Sequence, residues 1–246
     1  MPGGRVRKVR LRPDKSRRPS SSRWLSRQLN DPYVQQAQER GYRSRSAYKL
    51  LEIDRKVRLL RPGLRVLDLG SAPGGWAQVA GARGCRVVGV DLLEMAPIPG
   101  ALLLQGDVFD PATIERVQEA LGAPADVVLS DLAAPATGRR TVDRLRAEAL
   151  AERVLALLPG LLAPGGSALI KLLRGADAAV AVEARRHFAK VRLIRPEATR
   201  RESSEIYLLG LGHRPDAVPP GGQALEEDAG GETGGGSPDV AARQLS

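Results

Sequence analysis

The sequence of 246 residues is poor in the residues that build disulfides and metal centres. It contains one cysteine, Cys85, and two histidines, His187 and His213. A single cysteine excludes an internal disulfide and a cysteine-rich zinc module, and the two histidines lack ligand partners at useful spacing. We therefore expect no metal site and a reducing compartment.

Aromatic residues are also scarce. Phe, Trp and Tyr make up 3% of the chain, so base stacking is not expected to dominate a contact with nucleic acid. The first 30 residues lack an apolar run, which excludes a secretory signal or a membrane span there. Apolar residues nevertheless make up 42% of the chain, enough for the core of one α/β domain.

Negative charge is the next shortage. The net charge is +10, which indicates a polyanionic partner. Residues 1–30 hold ten basic residues and one acid, Asp14, and so carry nearly the whole imbalance. An Arg- and Ser-rich, acid-poor start is also typical of a mitochondrial transit peptide, which stays open as an alternative.

Composition divides the chain into three parts. We expect residues 1–23 to form a basic disordered tail, residues 24–212 a single folded domain, and residues 213–246 a second disordered tail. The last part is rich in Gly, Pro and acidic residues and has almost no large apolar side chains. Burial therefore cannot offset its ordering entropy.

Inside the folded part, short apolar runs alternate with helical patterns, which predicts a mostly parallel sheet with helices on both faces. A short polar loop before the last strand predicts a closing hairpin at one edge, with the last strand antiparallel. The predicted strands are Arg65–Leu69, Arg86–Asp91, Ala101–Gln105, Asp126–Ser130, Ala168–Leu172, Val191–Arg195 and Ile206–Leu211. The predicted helices are Trp76–Ala82, Pro111–Leu121 with Asp110 as N-cap, Asp143–Leu158 and Asp177–His187, besides one ahead of the first strand that carries Lys49.

A glycine-rich turn follows the first predicted strand and reads Asp68-Leu-Gly-Ser-Ala-Pro-Gly-Gly-Trp76. Glycines let a backbone pass close to a ligand, and the helix start that follows offers free N–H groups. The spacing G-x-G-x-x-G, which a dinucleotide-binding oxidoreductase needs, is missing. The turn therefore predicts a nucleotide-like ligand without a pyrophosphate.

Acids end the next two predicted strands. Asp91 can accept hydrogen bonds from both hydroxyls of a ribose, and Asp107 can reach the exocyclic amine of an adenine. Either acid alone is also explained as a helix cap or a solvated turn residue. Together with Asp68 they favour a ligand, and a ribose and an adenine without pyrophosphate describe S-adenosylmethionine.

Four charged residues stand far apart in the sequence: Lys49, Asp131, Lys171 and Glu205. Three lie at or near the ends of predicted strands, and a doubly wound sheet gathers such positions into one cleft. Two lysines and two acids there are suited to deprotonating a hydroxyl. Lys49 and Glu205 could each be a solvated charge, whereas Lys171 interrupts an apolar strand, where an unpaired ammonium is costly.

Seven segments, in order between about Ser22 and Gly212, resemble the FtsJ-type family of ribosomal RNA 2′-O-methyltransferases. The resemblance implies a class I, Rossmann-like fold with a seven-stranded sheet, and S-adenosyl-L-methionine as the methyl donor. It implies the ribose 2′-oxygen of a uridine in large-subunit rRNA as the acceptor. The segments are 42–52, 68–76, 90–93, 105–107, 129–131, 164–166 with Lys171, and 201–207.

The resemblance also implies roles for single residues. It makes Lys49, Asp131, Lys171 and Glu205 the catalytic set, with Lys171 as the general base. Free lysine titrates near ~10.4, so burial and the charge of Lys49 must favour the neutral amine, while the two acids oppose this. The implied cofactor-binding residues are Asp68, Gly70, Pro73, Gly74, Gly75, Trp76, Asp91, Asp107 and Asp131, of which Trp76 could instead simply pack beneath the loop.

Two segments depart from the family pattern. After Asp131 the usual Met-Ala-Pro-Asn is replaced by Leu132-Ala-Ala-Pro, and Lys171 is followed by Leu-Leu-Arg174 in place of an aromatic residue and Gln. Both segments border the expected acceptor pocket. They bear on substrate detail more than on methyl transfer.

The partner that this reading predicts is large-subunit rRNA or the large ribosomal subunit, recognised through shape and phosphates. We expect a monomer in a bacterial cytoplasm, with no membrane or DNA partner and with a mitochondrion as the alternative compartment. A methyltransferase acting on tRNA, an mRNA cap or another RNA stays open, as does a catalytically weak ribosome-assembly factor. The basic residues expected near the site are Arg43, Arg45, Lys56 and Arg58 around the first helix, and Arg192, Arg195, Arg200 and Arg201 near the last hairpin.

Overall fold

The computed structural model describes residues 29–215, in which seven strands form one sheet. The strands are β1 (Arg65–Leu69), β2 (Arg86–Asp91), β3 (Ala101–Gln105), β4 (Ala125–Ser130), β5 (Leu162–Leu173), β6 (Phe188–Ile194) and β7 (Glu205–His213). Their order across the sheet is β3-β2-β1-β4-β5-β7-β6. Strands β1 to β5 are parallel, and β7 runs antiparallel to both β5 and β6.

Helices cover both faces of this sheet. They are α1 (Pro32–Glu39), α2 (Ala47–Val57), α3 (Gly75–Ala82), α4 (Pro111–Leu121), α5 (Arg140–Leu161) and α6 (Asp177–His187). Apolar side chains of α4, α5 and α6 form the core on one face, and those of α2 and α3 form the core on the other. The predicted α/β architecture is confirmed. No helix in the described part of the chain is long and apolar enough to cross a membrane.

Local sequence determines several boundaries. Helix α4 begins where predicted, because the carboxylate of Asp110 accepts a hydrogen bond from Ala112 N at 3.2 Å and Pro111 stands at the first helical position. Helix α5 runs through Pro159 to Leu161, beyond its predicted end. Leu158 and Leu161 are both fully buried, and this packing outweighs the helix-breaking tendency of the proline.

The last two strands form the predicted hairpin, with β6 at the edge and β7 inserted beside β5. Strand β7 extends through His213, whose ring is buried against Phe188, so the sheet includes the residue at which the C-terminal tail was predicted to begin. The remainder of that predicted tail, from residue 216 on, lies outside the described residues. So do the predicted tail over 1–23 and the first residues, 24–28, of the predicted domain.

Strand direction decides which residues meet at one edge. The parallel strands place Leu69, Asp91 and Ser130 at their carboxyl ends, side by side. Because β7 is antiparallel, its beginning lies at this same edge: Glu205 is paired with Leu173 and Tyr207 with Lys171. Residues from the far end of the sequence thereby join the ends of the earlier strands.

A buried carboxylate fastens α1 to this edge. Asp31 caps α1 by accepting a hydrogen bond from Tyr33 N at 3.0 Å. It also pairs with Arg45, just before α2, and with Arg200 Nε at 2.9 Å, in the loop between β6 and β7. One side chain therefore ties together three segments that border the site.

Candidate active site

The four predicted catalytic residues lie together at this edge. Side chains alternate along a strand, so Lys171 shares with Leu169 the face of β5 that α2 and α3 cover. On β7, Glu205 and Tyr207 point to that same face for the same reason. Helix α2 crosses it and brings Lys49 into the group.

Two ion pairs organise the four side chains. Lys49 Nζ lies 2.6 Å from Glu205 Oε2, and Lys171 Nζ lies 3.0 Å from Asp131 Oδ1. Lys171 also donates to the backbone carbonyl of Asp131 at 2.5 Å. Each lysine is therefore held by one acid.

Tyr207 joins the two ion pairs, a role that was not assigned from the sequence although this tyrosine ends the segment 201–207. Lys49 Nζ donates to its hydroxyl at 3.2 Å, and the hydroxyl donates to Asp131 Oδ1, also at 3.2 Å. The ring is fully buried and packs against Trp76, 5.7 Å between centroids. Burial, followed by the charges of Asp131 and Glu205, raises the pKa of the phenol well above its usual range, so Tyr207 stays a neutral donor.

The ion pairs also affect the state of the acid on β7. Burial by itself raises the pKa of the Glu205 carboxyl, but the ammonium groups of Lys49 and Lys171 and a hydrogen bond from Ser203 outweigh it. The net result is a pKa below the usual range. Glu205 is therefore ionised at neutral pH, and it balances the buried ammonium of Lys49.

A cleft of about 670 Å³ opens beside these side chains. Of the two lysines, Lys171 lines the cleft and Lys49 does not, and Glu205 also forms part of the wall. The two segments that depart from the family pattern line it as well, through Leu132 and Arg174. Five arginines surround the opening: Arg140, Arg144, Arg174, Arg195 and Arg201.

The glycine-rich loop lies on the neighbouring strand end and leaves no room for side chains. Gly74 caps α3 at φ +107°, and a Cβ there would come within 2.4 Å of Ile98 Cδ1. A Cβ at Gly70, φ +75°, would lie 3.0 Å from the backbone nitrogen of Leu132, and a Cβ at Gly75 would lie 2.3 Å from Ser44 Oγ. The loop, which includes Pro73, therefore packs tightly against Ile98, Leu132 and Ser44, and its glycines cannot be replaced by larger residues without a shift of the backbone or of these neighbours.

Asp68 lies beneath this loop, fully buried. Its Oδ2 accepts a hydrogen bond from Ser71 Oγ at 2.7 Å, whereas Oδ1 has no hydrogen-bond partner among residues 29–215. Burial, opposed by Ser71 and reinforced by Asp131 and Asp91, raises the pKa of the carboxyl to about 7. Asp68 thus supports the loop from below.

The other predicted cofactor residues follow the same edge outwards. Asp91 accepts hydrogen bonds from Ala72 N and Leu93 N, both at 2.9 Å, and so shapes the loop as well as ending β2. Asp107 is exposed and accepts from Phe109 N at 2.9 Å. Trp76 is buried, and its Nε1 donates to Ser46 O at 2.9 Å, which ties α3 to α2.

These features fit S-adenosylmethionine, the ligand that the sequence predicts. Three features lie one after another along the carboxyl edge of the strands: the tight glycine turn, the half-exposed carboxylate of Asp91 and the exposed carboxylate of Asp107. In addition, the buried Oδ1 of Asp68 accepts no hydrogen bond from residues 29–215. The carboxylates would hold the ribose and adenine. Asp131 would border the reacting end, because its backbone N–H binds Leu69 O at 3.1 Å and so links loop and ion pairs.

Three of the basic residues expected to approach the site are internal supports instead, and one of them, Arg200, is the partner of Asp31 described above. Arg43 donates to the carbonyls of Pro73, Ala96 and Pro97, and so fastens the glycine loop to the segment after β2. Arg45 is half-buried, and it binds Asp31 and the carbonyl of Ala198. Their partners are distant in sequence, which is why residue type and spacing could not reveal these roles.

Comparisons with known proteins agree with this geometry. The family model of the FtsJ-like methyltransferases matches residues 42–213. A protein of Acidiphilium cryptum named "Ribosomal RNA large subunit methyltransferase E" is 51% identical over 211 residues, which cover 85% of this chain and 94% of the relative. A protein of the same name from Rhodopseudomonas palustris is 49% identical over 222 residues, 87% of this chain and 91% of the relative.

A solved structure, a ribosomal RNA methyltransferase from Plasmodium falciparum, superposes with a TM-score of 0.63 at 28% identity, covering 70% of this chain and 98% of its own. The family match over residues 42–213 includes all seven strands, the glycine loop and the four side chains of the two ion pairs. The chain belongs to the FtsJ-like methyltransferase family, and it is an enzyme that uses S-adenosylmethionine.

Proposed function

We propose that the enzyme methylates the ribose 2′-oxygen of a uridine in large-subunit rRNA, within the assembled ribosomal subunit, with Lys171 as general base. The observation that carries this proposal is the position of Lys171 in the wall of an arginine-lined cleft, where Asp131 holds its amine twice. A base must lie within hydrogen-bond reach of the proton that it takes. Among the four charged side chains, Lys171 and Glu205 reach the cleft surface.

The chemistry requires a hydroxyl to lose its proton as its oxygen forms a bond to carbon. When bound, S-adenosylmethionine would supply a methyl group that its sulfonium already activates, and the carbon–sulfur bond would break as the oxygen–carbon bond forms. Lys171, an ammonium paired with Asp131 in the resting site, must first give up a proton; its neutral amine then accepts the hydroxyl proton, and Asp131 orients that amine. Lys49 supplies the second positive charge, and Glu205 balances it. Much of the acceleration comes from alignment of the methyl donor with the hydroxyl, which can contribute ~7 to 11 kcal/mol.

The cleft is suited to a polyanion. Its five arginines face two glutamates and one aspartate, Glu202, Glu205 and Asp143, and Glu205 is already neutralised by Lys49. Asp143 is occupied as well, because it accepts from Thr137 N at 2.7 Å. Phosphates flanking the target ribose can therefore pair with arginines such as Arg174 and Arg201.

The relatives support the choice of substrate and compartment. Two proteins that match over most of their length carry the name of a ribosomal RNA large-subunit methyltransferase. Both come from bacteria, which favours a bacterial cytoplasm over the mitochondrial alternative. On the same basis we propose that Asp68, Gly70, Pro73, Gly74, Gly75, Trp76, Asp91, Asp107 and Asp131 form the cofactor site.

A transfer assay tests the function. The full-length protein is incubated with methyl-labelled S-adenosylmethionine and, separately, with large subunits, free rRNA or tRNA from cells that lack the gene. We expect label on one 2′-O-methyluridine of the subunit, and a loss of ~10²-fold or more in Lys171→Ala. Lys190→Ala, an exposed lysine of β6, is the matched control and keeps full activity.

Three results would contradict the proposal. Label in tRNA alone would assign another RNA substrate. Cofactor binding without transfer to any RNA would indicate an assembly factor. Full activity of Lys171→Ala would show that another residue is the general base. Equilibrium dialysis with the cofactor serves as the control, because it shows whether each variant still folds and binds S-adenosylmethionine.

A further inference from the structure

The end of the sheet opposite the active site carries a second concentration of positive charge. The basic residues there lie in the last turn of α2, just after α2 or α3, or at the beginning of β1 and β2, towards the amino ends of the strands. Lys56 and Arg58, which were expected from the sequence to approach the active site, belong to this group. The whole set is Arg55, Lys56, Arg58, Arg61, Arg65, Arg83 and Arg86, and we call it the basal arginine surface.

Backbone contacts show that these residues form one continuous surface. Arg86 is paired with Arg65 across neighbouring strands, and its N–H donates to Leu64 O at 2.8 Å. The loop 61–64 packs on the turn before β2, where Gly63 N donates to Gly84 O at 2.8 Å. Arg58 and Arg61 lie in the wall of one groove.

The acidic residues near this surface already form ion pairs with some of its basic residues. Glu52 pairs with Lys56 at 2.7 Å and Asp126 with Arg65 at 3.7 Å. Asp54 is buried, pairs with Arg83 Nε at 2.9 Å and accepts a hydrogen bond from Leu60 N. Four exposed arginines make no side-chain hydrogen bond or ion pair with any of residues 29–215: Arg55, Arg58, Arg61 and Arg86.

The groove between these arginines can accept an extended chain. It has a volume of about 620 Å³, and Pro164, Gly165 and Gly166 form part of its wall. A Cβ at Gly165 would meet nothing within 4 Å, so this wall is open. None of the exposed large apolar side chains within residues 29–215 lines the groove, which disfavours an apolar protein or membrane partner.

We propose that the basal arginine surface is a second RNA-binding site, which binds the phosphate backbone of an rRNA segment away from the target nucleotide. The inference rests on the proposed function, since that function supplies a large structured RNA as the partner. Arg58 follows Lys49 by nine positions, about 13 Å along a helix axis. An RNA that fills the catalytic cleft and also reaches this surface therefore extends beyond the modified residue.

A salt titration tests the proposal. The probe is a fluorescent RNA duplex with a sequence taken from the large-subunit rRNA. Its binding is measured by fluorescence anisotropy between ~50 and ~200 mM KCl. Each phosphate contact contributes ~0.7 to 0.9 to the slope of log K against log salt. We expect Arg58→Gln/Arg61→Gln to reduce that slope by about 1.4 to 1.8, and Arg58→Lys/Arg61→Lys to restore most of it.

The matched control is Arg185→Gln/Lys190→Gln, which removes two exposed charges from α6 and β6 and keeps the wild-type slope. With large subunits as substrate, the groove variant raises KM and leaves kcat unchanged, because Lys171 and its partners are intact. An unchanged slope and KM in the groove variant, or the same loss in the control, would overturn the proposal.

Two further outcomes separate this inference from the proposed function. If wild-type protein transfers methyl to no RNA, the function fails, whatever the titration shows. If it methylates the subunit but the groove variant differs from wild type only in binding to anionic lipid vesicles, the basal arginine surface is a membrane contact and this inference is wrong.

Discussion

The phenolic hydroxyl of Tyr207 donates a hydrogen bond to Asp131 at 3.2 Å, while it accepts one from Lys49. Within residues 29–215, no hydrogen bond or salt bridge joins the two ion pairs directly, and the neutral phenol connects them. The second cation can therefore influence the proposed base through a fixed, buried hydrogen-bond chain. Such chains are worth more in a buried site than in water.

Tyr207→Phe removes this connection while the ring stays in place. We expect kcat to fall ~10-fold with KM for RNA and cofactor affinity unchanged, because one hydrogen bond to a charged group is worth ~1.5 to 3 kcal/mol and part of it is recovered by water. Tyr42→Phe is the control, since the phenol of Tyr42 makes no hydrogen bond within residues 29–215. Steady-state kinetics of methyl transfer decide; a wild-type kcat would show that the phenol has no positioning role.

Gly74→Ala tests the glycine loop. The new Cβ would lie 2.4 Å from Ile98 Cδ1 at a φ of +107°, so the loop must shift. We expect at least a 10-fold weaker cofactor affinity, measured by calorimetry, and a lower melting temperature. Gly122→Ala also has a positive φ, +67°, but meets nothing within 4 Å, so it should cost only ~1 kcal/mol of stability and leave cofactor affinity intact. Equal affinities in the two variants would refute the tight-packing argument.

Asp68 makes stability depend on pH. Its carboxyl has a folded pKa of about 7, raised by burial from 3.8, so between these values the folded state holds a proton that the unfolded state has lost. Stability therefore falls as the pH rises from about 4 to about 7, by at most ~1.4 kcal/mol per pH unit from this group. Asp68→Asn should flatten this decline.

Urea unfolding at pH 5 and pH 8 measures the effect. The difference in unfolding free energy between the two pH values is expected to be larger for the wild type than for Asp68→Asn. The comparison uses a difference within each protein, so a general destabilisation by the substitution cancels. Parallel pH profiles would mean that Asp68 is ionised in the folded protein throughout this range.

Asp31→Asn removes one charge from a buried cluster but keeps a side chain that can still cap α1. The side chains of Asp31 and Arg45 are 7% and 15% exposed, so Arg45 would lose its anion in a poorly solvated place. We expect a loss of about 3 to 5 kcal/mol in unfolding free energy. Glu183→Gln breaks the exposed pair with Arg186 and should cost less than ~0.5 kcal/mol. Similar losses in both variants would contradict the importance of burial.

Much of the architecture follows from local patterns. Strands β1, β2 and β3 and helices α4 and α6 have their predicted bounds, because each is a short periodic run between turn residues or caps. The elements that differ are those whose ends depend on tertiary packing. Strand β6 begins three residues earlier than predicted, at Phe188, because that ring packs over Gly210 of β7, where a Cβ would come within 2.5 Å.

The site shows the same division. Lys171 could be singled out from the sequence, because a charged residue in an apolar strand needs an explanation, whereas the catalytic roles of Lys49, Asp131 and Glu205 came from the family resemblance. The pairing of Lys49 with Glu205, rather than with Asp131, depends on the register of β7 beside β5. So does the bridging position of Tyr207, which looks like one more aromatic core residue until its hydroxyl is seen between two charges.

Because β7 is the last strand of the chain and is inserted beside β5, the site can be completed only late in synthesis. The glycine loop, Asp91, Asp107, Asp131 and Lys171 have all been synthesised before β7 begins. The counter-charge for Lys49 and the phenol that joins the ion pairs come with Glu205 and Tyr207. A ribosome must therefore translate through the last strand before Lys49 gains its partners, and a chain stopped at β6 has the residues of the proposed cofactor pocket without the acid and the phenol that complete the proposed catalytic group.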